Sequence, residues 1–577
     1  MKLARGIVTA VALGGFAIVF VGLTVGSFWQ KSATVDEPMN LTGGYVAWRH
    51  GNHCITPQNE MLARLWCALP LLARNDVRLD GEDRIQESDR SWRFAHRFLH
   101  LQNDADRLLR PARCMTILLG LALGAVLFAW AREMFGCWPA VAVLALYATE
   151  PNLLAHSGVV TSDMAFTLFF TVTLYFAWRT TRVCDWLNAL GLMAAFSLAL
   201  LSKHSGVVLW VVVLALLATR AYRADAWPSA LGPLRCVRAR MLVVAGICIG
   251  LIVISYLGIW ALYGFRHAPI ASGDVRLEFT QAGFVAERAP LVSQFMSWMD
   301  GHRLLPNAYA QGFALKFAEM SGQPAFLAGR HSETGWWHYF PFALLIKTPL
   351  PLLLLAGAGA VLTLARRDDR MRNGLFVMLP LAVYLGVAMT AKTDVGVRYV
   401  LPVIPLALLL AGRAVADSMR MARKWVVVVA WAFVAFQALE SVRAFPDYLA
   451  YFNQLVGGSS QGHRYLVDSN LDWGQDLKGL KRWMDENRVE HINLSYFGSA
   501  DPAYYGIDCT YLAGSPVFKQ HLQAQPRLPG YVAVSATNLQ GVYLGRAGRD
   551  YFKSLRARKP VAVIGHSIHV YWVEGRW

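Results

Sequence analysis

The chain has 577 residues, of which 55% are hydrophobic and 16% charged, with a net charge of +17. Its apolar residues come in runs of about 20, the length needed to cross a hydrocarbon core, which excludes an ordinary soluble fold and indicates a polytopic membrane protein. The basic excess falls in loops on one side of those runs, as the positive-inside bias expects, so no nucleic-acid partner is called for.

The first run, residues 6–29, is longer than the apolar core of a signal peptide and no small-x-small cleavage site follows it, so it reads as a retained anchor. Just beyond it lies Thr34-Val35-Asp36-Glu37-Pro38-Met39-Asn40. An acid pair where a span meets water can stay ionised yet shielded, which suits a general base, and Asp36 or Glu37 is the first candidate for that role. The plainer alternative is a helix-end or topology carboxylate.

A long loop, 30–110, follows, in which Glu60 to Leu72 and Ser91 to Arg110 read as helices lying in the interface. Eleven spans are expected in all, at roughly 6–29, 111–131, 137–150, 158–178, 186–202, 205–220, 241–263, 340–364, 374–390, 397–413 and 425–442. Alternation places Arg132, Arg179/Arg182, Arg220 to Arg240, Arg366/Arg367/Arg370 and Arg413 to Lys424 on one side with Lys2 and Arg5. That side is then the cytoplasm, and the tail lies outside. A membrane body, 1–442, thus carries two large outer loops, 30–110 and 264–339. The tail, 443–577, reads as a small α/β domain with strands near 492–496, 530–534 and 561–564 and a helix near 475–487.

The eight cysteines show no metal spacing. Cys54, Cys67 and Cys509 fall on the outer side, where a Cys54–Cys67 bridge is one arrangement the sequence leaves open.

A second acid, Asp163 in Val160-Thr161-Ser162-Asp163-Met164, is expected about one and a half turns inside a span. A carboxylate there costs roughly 2.5–3.5 kcal/mol, so it faces a cavity or pairs with a cation such as Lys203. Cations also collect at the outer ends of spans, against the general bias: Lys203, Lys347, Lys392 and Arg398, with Arg64 and Arg113 from the first loop. Each alone could snorkel to headgroups; together they suit an anionic ligand such as a lipid-linked phosphate. His331, Glu333, Trp336 and His338 precede span eight and are expected to line a substrate cavity or the interface. Asp468, Asp472 and Asp476 repeat every four residues, as if on one helix face, with loop capping the better reading than calcium binding.

The acid pair, the Ser-x4-Ser-Asp-Met helix, Gly335-Trp336-Trp337-His338-Tyr339-Phe340-Pro341, Lys347-Thr348-Pro349-Leu350-Pro351 and Gly396-Val397-Arg398-Tyr399-Val400-Leu401-Pro402 together resemble the GT-C membrane glycosyltransferases. Within them the chain looks like the bacterial relatives of protein O-mannosyltransferase and of the lipid A aminoarabinose transferase. The tail signature from Tyr448-Leu449-Ala450-Tyr451-Phe452-Asn453 through Asp472-Trp473-Gly474-Gln475-Asp476 is similar to a subset of these bacterial proteins. The resemblance implies a GT-C fold in the bacterial inner membrane with a periplasmic active site and tail. It implies inverting transfer of a single sugar from a polyprenyl-phosphate donor to a lipid, glycan or protein acceptor, without a metal cofactor. Asp36 would deprotonate the acceptor hydroxyl, Glu37 would hold the acceptor or Asp36, and Arg64, Lys203 or Arg398 would meet the leaving phosphate. Relatives commonly carry Glu-His-Pro-Pro-Leu-x-Lys in the first loop. This chain has Gln58-Asn59-Glu60-Met61-Leu62-Ala63-Arg64 there, with Arg64 standing for the lysine's charge. Two other classes share parts of the pattern. An oligosaccharyltransferase-like enzyme would carry a Trp-Trp-Asp motif, absent here. A non-catalytic lipid carrier would show inverted repeats, and none is apparent.

Overall fold

Helices occupy every expected span. The computed structural model describes residues 2–80, 88–230, 232–271, 273, 275–366, 373–514 and 524–575; Arg367 and Arg370 lie outside the described residues. Among the described residues, five helices are long and apolar enough to cross a membrane: Gly6–Trp29, Ala105–Phe135, His204–Ala221, Val237–Leu262 and Lys424–Ala444. A sixth arises from Tyr339–Lys347 and Leu350–Ala365 taken together, bent by 118° where they meet. Cys137–Ala148, Trp186–Ser202 and Leu375–Ala388 are shorter apolar helices, and Asp163–Arg182 and Val403–Ser418 fill the remaining expected spans. Val403–Ser418 is buried along its whole length, at the centre of the bundle. It can therefore carry Arg413 and Asp417, because they pair with each other at 2.9 Å. Arg366 joins the same Asp417 at 3.3 Å, so the ends of helices Leu350–Ala365 and Val403–Ser418 meet at one end of the bundle.

Two expectations about helix boundaries are corrected. The segment 91–110 is not one interfacial helix: Ser88–His96 runs into a π-helical stretch, Arg97–Gln102, and the chain then breaks. Asp104 restarts it by accepting from the Arg107 N–H at 3.1 Å, so 105–110 open the long helix Ala105–Phe135. Likewise the helix holding Asp163 begins at Asp163 itself, because Val160-Thr161-Ser162 forms a turn after the short helix Pro151–Ser157. The Asp163 carboxylate sits at a helix mouth, where the N-terminal dipole favours it, rather than deep in a span.

The bend after Lys347 has a simple cause. Pro349 and Pro351 lack N–H groups, which leaves the Leu345 and Lys347 carbonyls without helical partners. Side chains from elsewhere supply the missing donors. Asn453 Nδ2 reaches the Leu345 carbonyl at 2.7 Å and that of Thr348 at 2.8 Å, and Asn152 Nδ2 reaches the Lys347 carbonyl at 2.9 Å.

The tail beyond 476 folds as expected into α/β. A short hairpin of β1 (Ala325–Leu327) and β2 (Arg330–Ser332) precedes it in the second large loop. The tail sheet consists of β3 (Ile492–Ser495), β4 (Cys509–Tyr511), β5 (Gly530–Ser535), β6 (Ala562–Ile564) and β7 (Ile568–Val573), in the order β4-β3-β5-β7-β6. β3 pairs in parallel with β4 and β5, whereas β7 runs antiparallel to both β5 and β6. Helix Leu477–Glu486 buries Leu477, Leu480 and Met484, one face at helical spacing, against the sheet. The same apolar cluster continues into the first loop through Tyr45, Phe98 and Leu108.

Residues 446–476, by contrast, pack with the membrane helices. Tyr448, Phe452, Leu466 and Leu471 belong to the large core cluster of the bundle. The expected repeat of Asp468, Asp472 and Asp476 is not a helix face, since each side chain takes a different partner. Asp468 accepts from Tyr543 OH, Asp472 from the Thr537 N–H at 2.8 Å, and Asp476 from Lys31 and from Ser567 at 2.6 Å. Lys31 is shared with Asp447, which ties the end of the first span to the tail. Cys54 and Cys67 are free and buried, Cys67 next to Thr116, so no bridge joins them.

Replacing Asn453 with Ala leaves two buried carbonyls at the bend without donors, at about 1–3 kcal/mol for each unsatisfied group. Thermal unfolding of Asn453→Ala in detergent is expected to show that loss. Asn487→Ala, on an exposed helix end, should leave the midpoint unchanged.

Candidate active site

The chain leaving the first span is held by one buried guanidinium. Arg113 donates to the carbonyls of Phe28 and Ser32 at 3.1 and 2.8 Å and to both oxygens of Glu37 at 2.8 and 2.6 Å. Glu37, wholly buried, also accepts from the N–H of Thr34 at 2.8 Å and of Val160 at 3.0 Å. Its lone pairs are therefore used up by the fold. Glu37 does not face the cavity, and Arg113 has no donor left for a phosphate; the expectations that Glu37 is the base or holds the acceptor, and that Arg113 meets the donor phosphate, are corrected, while the expected hold of Glu37 on Asp36 fits this geometry.

Asp36 is left in a different position. It precedes helix Glu37–His50, with Pro38 in the first turn, yet its side chain caps no helical N–H. The carboxylate turns instead toward Arg398, at 2.7 Å, and is the more exposed member of the acid pair at 26%. Arg398 comes from a short turn, Val397–Val400, before the central helix. Its guanidinium lies 4.3 Å from the Trp473 ring centroid and 3.8 Å from Asp163. Asp163 in turn holds Lys203 at 2.6 Å, and the Lys203 ammonium lies 4.8 Å from the Tyr399 ring.

These groups line a cavity of about 50 Å³ in which Arg64, Lys203, Lys316 and Arg398 meet Asp36, Glu60 and Asp163. Ordinary small-molecule sites run to several hundred Å³, so this one is far smaller. Buried polar atoms remain unpartnered around it: Asp163 Oδ2, Arg398 Nε, Thr161 Oγ1 and Arg64 Nε. Buried polar groups in native folds are otherwise almost all satisfied, so this concentration marks a place built for a ligand.

Of the expected residues, Asp36, Asp163, Arg64, Lys203 and Arg398 are brought together here. Arg64 spends most of its donors locally, on the carbonyls of Ile55, Thr56 and Asn59 at 2.7, 3.1 and 3.3 Å, and a Cβ at Gly43 would collide with it. Burial pulls its guanidinium down to about 10. It shapes the first loop while presenting charge to the cavity wall.

The rest lie elsewhere. Lys347, buried at the bend, gives its ammonium to the carbonyls of Leu449 and Asn470 at 2.8 and 2.6 Å. Lys392 is exposed on a loop and does not line the cavity. His331 donates from Nε2 to the Gln540 carbonyl at 2.7 Å, Glu333 lies exposed 3.7 Å from Arg549, and His338 is exposed beside Trp337. Trp336 donates its backbone N–H to Asp394 at 2.5 Å, whose carboxyl burial pushes up to about 6. The aromatic segment therefore braces the second loop against the tail, away from this cavity.

Several lining residues carried no recognisable sequence signal. Asn40 and Asn59 pair with each other at 3.1 Å, Glu60 accepts from the His204 N–H at 2.9 Å, and Lys316 comes from helix Asn307–Glu319 in the second loop. Lys316 is half-buried, and although desolvation lowers its pKa, Tyr399, Glu319 and Glu60 more than reverse that and keep it charged.

The tail packs against the backbone and the guanidinium behind the cavity wall. The Trp473 carbonyl accepts from the Val35 N–H at 2.9 Å and the Gln475 carbonyl from the Ser32 N–H at 2.8 Å, beside the ring that stacks on Arg398. Ser469 donates to the Val395 carbonyl at 2.9 Å, close against Gly396, where a Cβ would strike the Ser469 hydroxyl. Asn470 accepts from the Val397 N–H at 2.9 Å. One tail segment thus fixes the backbone on both sides of the Asp36–Arg398 contact.

A bundle of apolar helices long enough to cross a membrane, with an acid and cations gathered in a cavity, defines a multi-pass membrane protein. Residues 105–260 match the family model of dolichyl-phosphate-mannose-protein mannosyltransferase, which bears out the resemblance to GT-C membrane glycosyltransferases. No curated protein matches the chain. Two solved structures of ArnT from Cupriavidus metallidurans align with most of the chain. The form bound to undecaprenyl phosphate is 13% identical, with a TM-score of 0.44 over 96% of each chain. The apo form is 12% identical, with a TM-score of 0.39 over 96% of this chain and 97% of that one.

Removing the Glu37 charge leaves Arg113 buried and uncompensated, so Glu37→Gln should cost about 3–5 kcal/mol of stability. Although burial pushes the Glu37 carboxyl up, Arg113 and the N–H groups of Thr34 and Val160 hold it below its ordinary value of 4.5. A depressed carboxyl contributes stability above that value and loses it as pH falls. Unfolding midpoints of the wild type should therefore drop on acidification below about 4.5, and those of Glu37→Gln should drop less.

Proposed function

We propose that this cavity is the active site of an inverting glycosyltransferase that takes a single sugar from a polyprenyl-phosphate donor. The observation that carries the reading is the Asp36–Arg398 contact of 2.7 Å inside a cation-rich cavity at one end of the helix bundle. The family matched by residues 105–260 is named for a lipid-phosphate-linked mannose, which supports a donor of that chemistry.

In this mechanism the donor phosphate enters the cavity and takes Arg398 away from Asp36. Lys203 and Lys316 add charge beside it, and Asp163 holds Lys203 in place. Asp36, no longer neutralised, accepts the proton of an acceptor hydroxyl on a glycolipid, polysaccharide or protein. The hydroxyl oxygen attacks the anomeric carbon, the bond from that carbon to the phosphate oxygen breaks, and polyprenyl phosphate leaves with its charge met by Arg398 and Lys203. Electrostatic stabilisation of this kind is commonly the largest catalytic contribution. The chamber faces the periplasm of a bacterial inner membrane, with the basic loop cluster around Asp417 in the cytoplasm, as the positive-inside bias requires. Glu37 and Arg113 act only by presenting Asp36.

Asp36→Asn keeps the shape of the side chain and removes its basicity. Transfer should fall at least ~10²-fold, the loss expected for a general base. Binding of polyprenyl phosphate should tighten, because an amide no longer competes for Arg398. Turnover at the wild-type rate, or weaker phosphate binding, would remove Asp36 from this role. Since side chains meet the leaving charge, treatment with EDTA is expected to leave the transfer rate unchanged; a loss restored by a divalent ion would reassign that charge to a metal.

A further inference from the structure

A basic recess of the described tail lies away from the Asp36 cavity. It is a groove of about 790 Å³ between the hairpin β1–β2, the segment 460–464 and the sheet edge at β6 and β7. Arg464, Arg558 and Lys559 line it, all exposed. Arg556, beside them, pairs with Asp550 at 2.9 Å, but no carboxylate pairs with the other three among the described residues. Two imidazoles, His463 and His569, close the inner wall with ring centroids 4.6 Å apart. His569 is 4% exposed and its Nε2 has no partner.

The groove is also preformed. Gln540 ties its walls together: its side-chain amide donates to the His463 carbonyl at 2.9 Å, and its own carbonyl accepts from His331 at 2.7 Å. A recess whose walls are already fixed at the junction of two parts of a protein is a usual place for a ligand. Unpaired guanidinium groups offer paired donors to phosphate oxygens, and lysine adds a point charge. The groove carries this chemistry without the acid partners that neutralise the cations of the Asp36 cavity.

We propose that this groove is a second anion site that binds a phosphate-bearing ligand, separate from the Asp36 cavity. The phosphate comes either from a lipid headgroup at the membrane surface or from a soluble phosphorylated saccharide. The site stands whether or not the chain transfers sugar, since it uses none of the cavity residues.

The test uses the full chain in phosphatidylcholine nanodiscs, titrated calorimetrically with inorganic pyrophosphate. The wild type should show two classes of site. Arg464→Gln/Arg558→Gln/Lys559→Gln should lose one class, its affinity falling about tenfold for each charged contact removed. Arg398→Ala should lose the other class and keep the first. If pyrophosphate is excluded from the tail class when phosphatidylglycerol is added to the discs, the natural phosphate is a lipid headgroup. If the tail class is unchanged by that lipid, the natural phosphate is that of a soluble saccharide. A triple variant that keeps both classes, or a wild type with only the class lost in Arg398→Ala, would overturn the proposal.

Discussion

A buried ion pair between Glu37 and Arg113 sets the course of the chain where it leaves the first span. Desolvating two charges is costly, and the pair holds only because every remaining lone pair and N–H around it is used by Thr34, Val160 and the carbonyls of Phe28 and Ser32. That complete satisfaction makes the segment 32–37 rigid. Asp36, adjacent to the pair but outside it, is then presented at a fixed point with its carboxylate free for another partner. The two acids look alike in sequence, and their neighbours divide them into one locked inside the fold and one that faces the cavity.

The second constraint comes from the tail. Hydrogen bonds from Trp473 and Gln475 to the segment 32–35, and from Ser469 and Asn470 to 395–397, bring the two halves of the cavity to one surface. The Trp473 ring under Arg398 adds a cation–π contact, which is stronger where water is excluded. Positive charge in the cavity is therefore oriented from above by a part of the chain that lies outside the helix bundle. The small cavity volume follows from the same closeness, because Asp36 and Asp163 occupy the cations that a ligand would otherwise use.

Much of this was legible beforehand. Long apolar runs marked the helices because membrane insertion imposes composition directly, and short runs in the tail marked β3, β5 and β6. Asp36, Asp163, Lys203 and Arg398 stood out because charge at a membrane boundary needs a reason. What could not be read was the partner of each charge. Lys347 looked equivalent to Lys203, yet two prolines bend its helix and turn its ammonium to the carbonyls of Leu449 and Asn470. Lys316, on a helix of the second loop, reaches the cavity only through folding of that loop. The four-residue spacing of Asp468, Asp472 and Asp476 suggested one helix face, but a run of tight turns sends each carboxylate to a separate element. Strands β4 and β7 were missed because Cys509–Tyr511 is too short to show alternation and Ile568–Val573 places its polar His569 on a buried position.

The stitching of residues 446–476 to the bundle bears on how the protein is made. Asn453 supplies donors to a bend about a hundred residues earlier in the chain, and Trp473 completes the surroundings of Arg398 only after every membrane helix has been synthesised. A ribosome-bound or truncated chain ending after the last span would hold the helices, the acid and the cations, but not the surface that orients them. The surroundings of Arg398 are thereby completed only by chain that follows the last membrane helix.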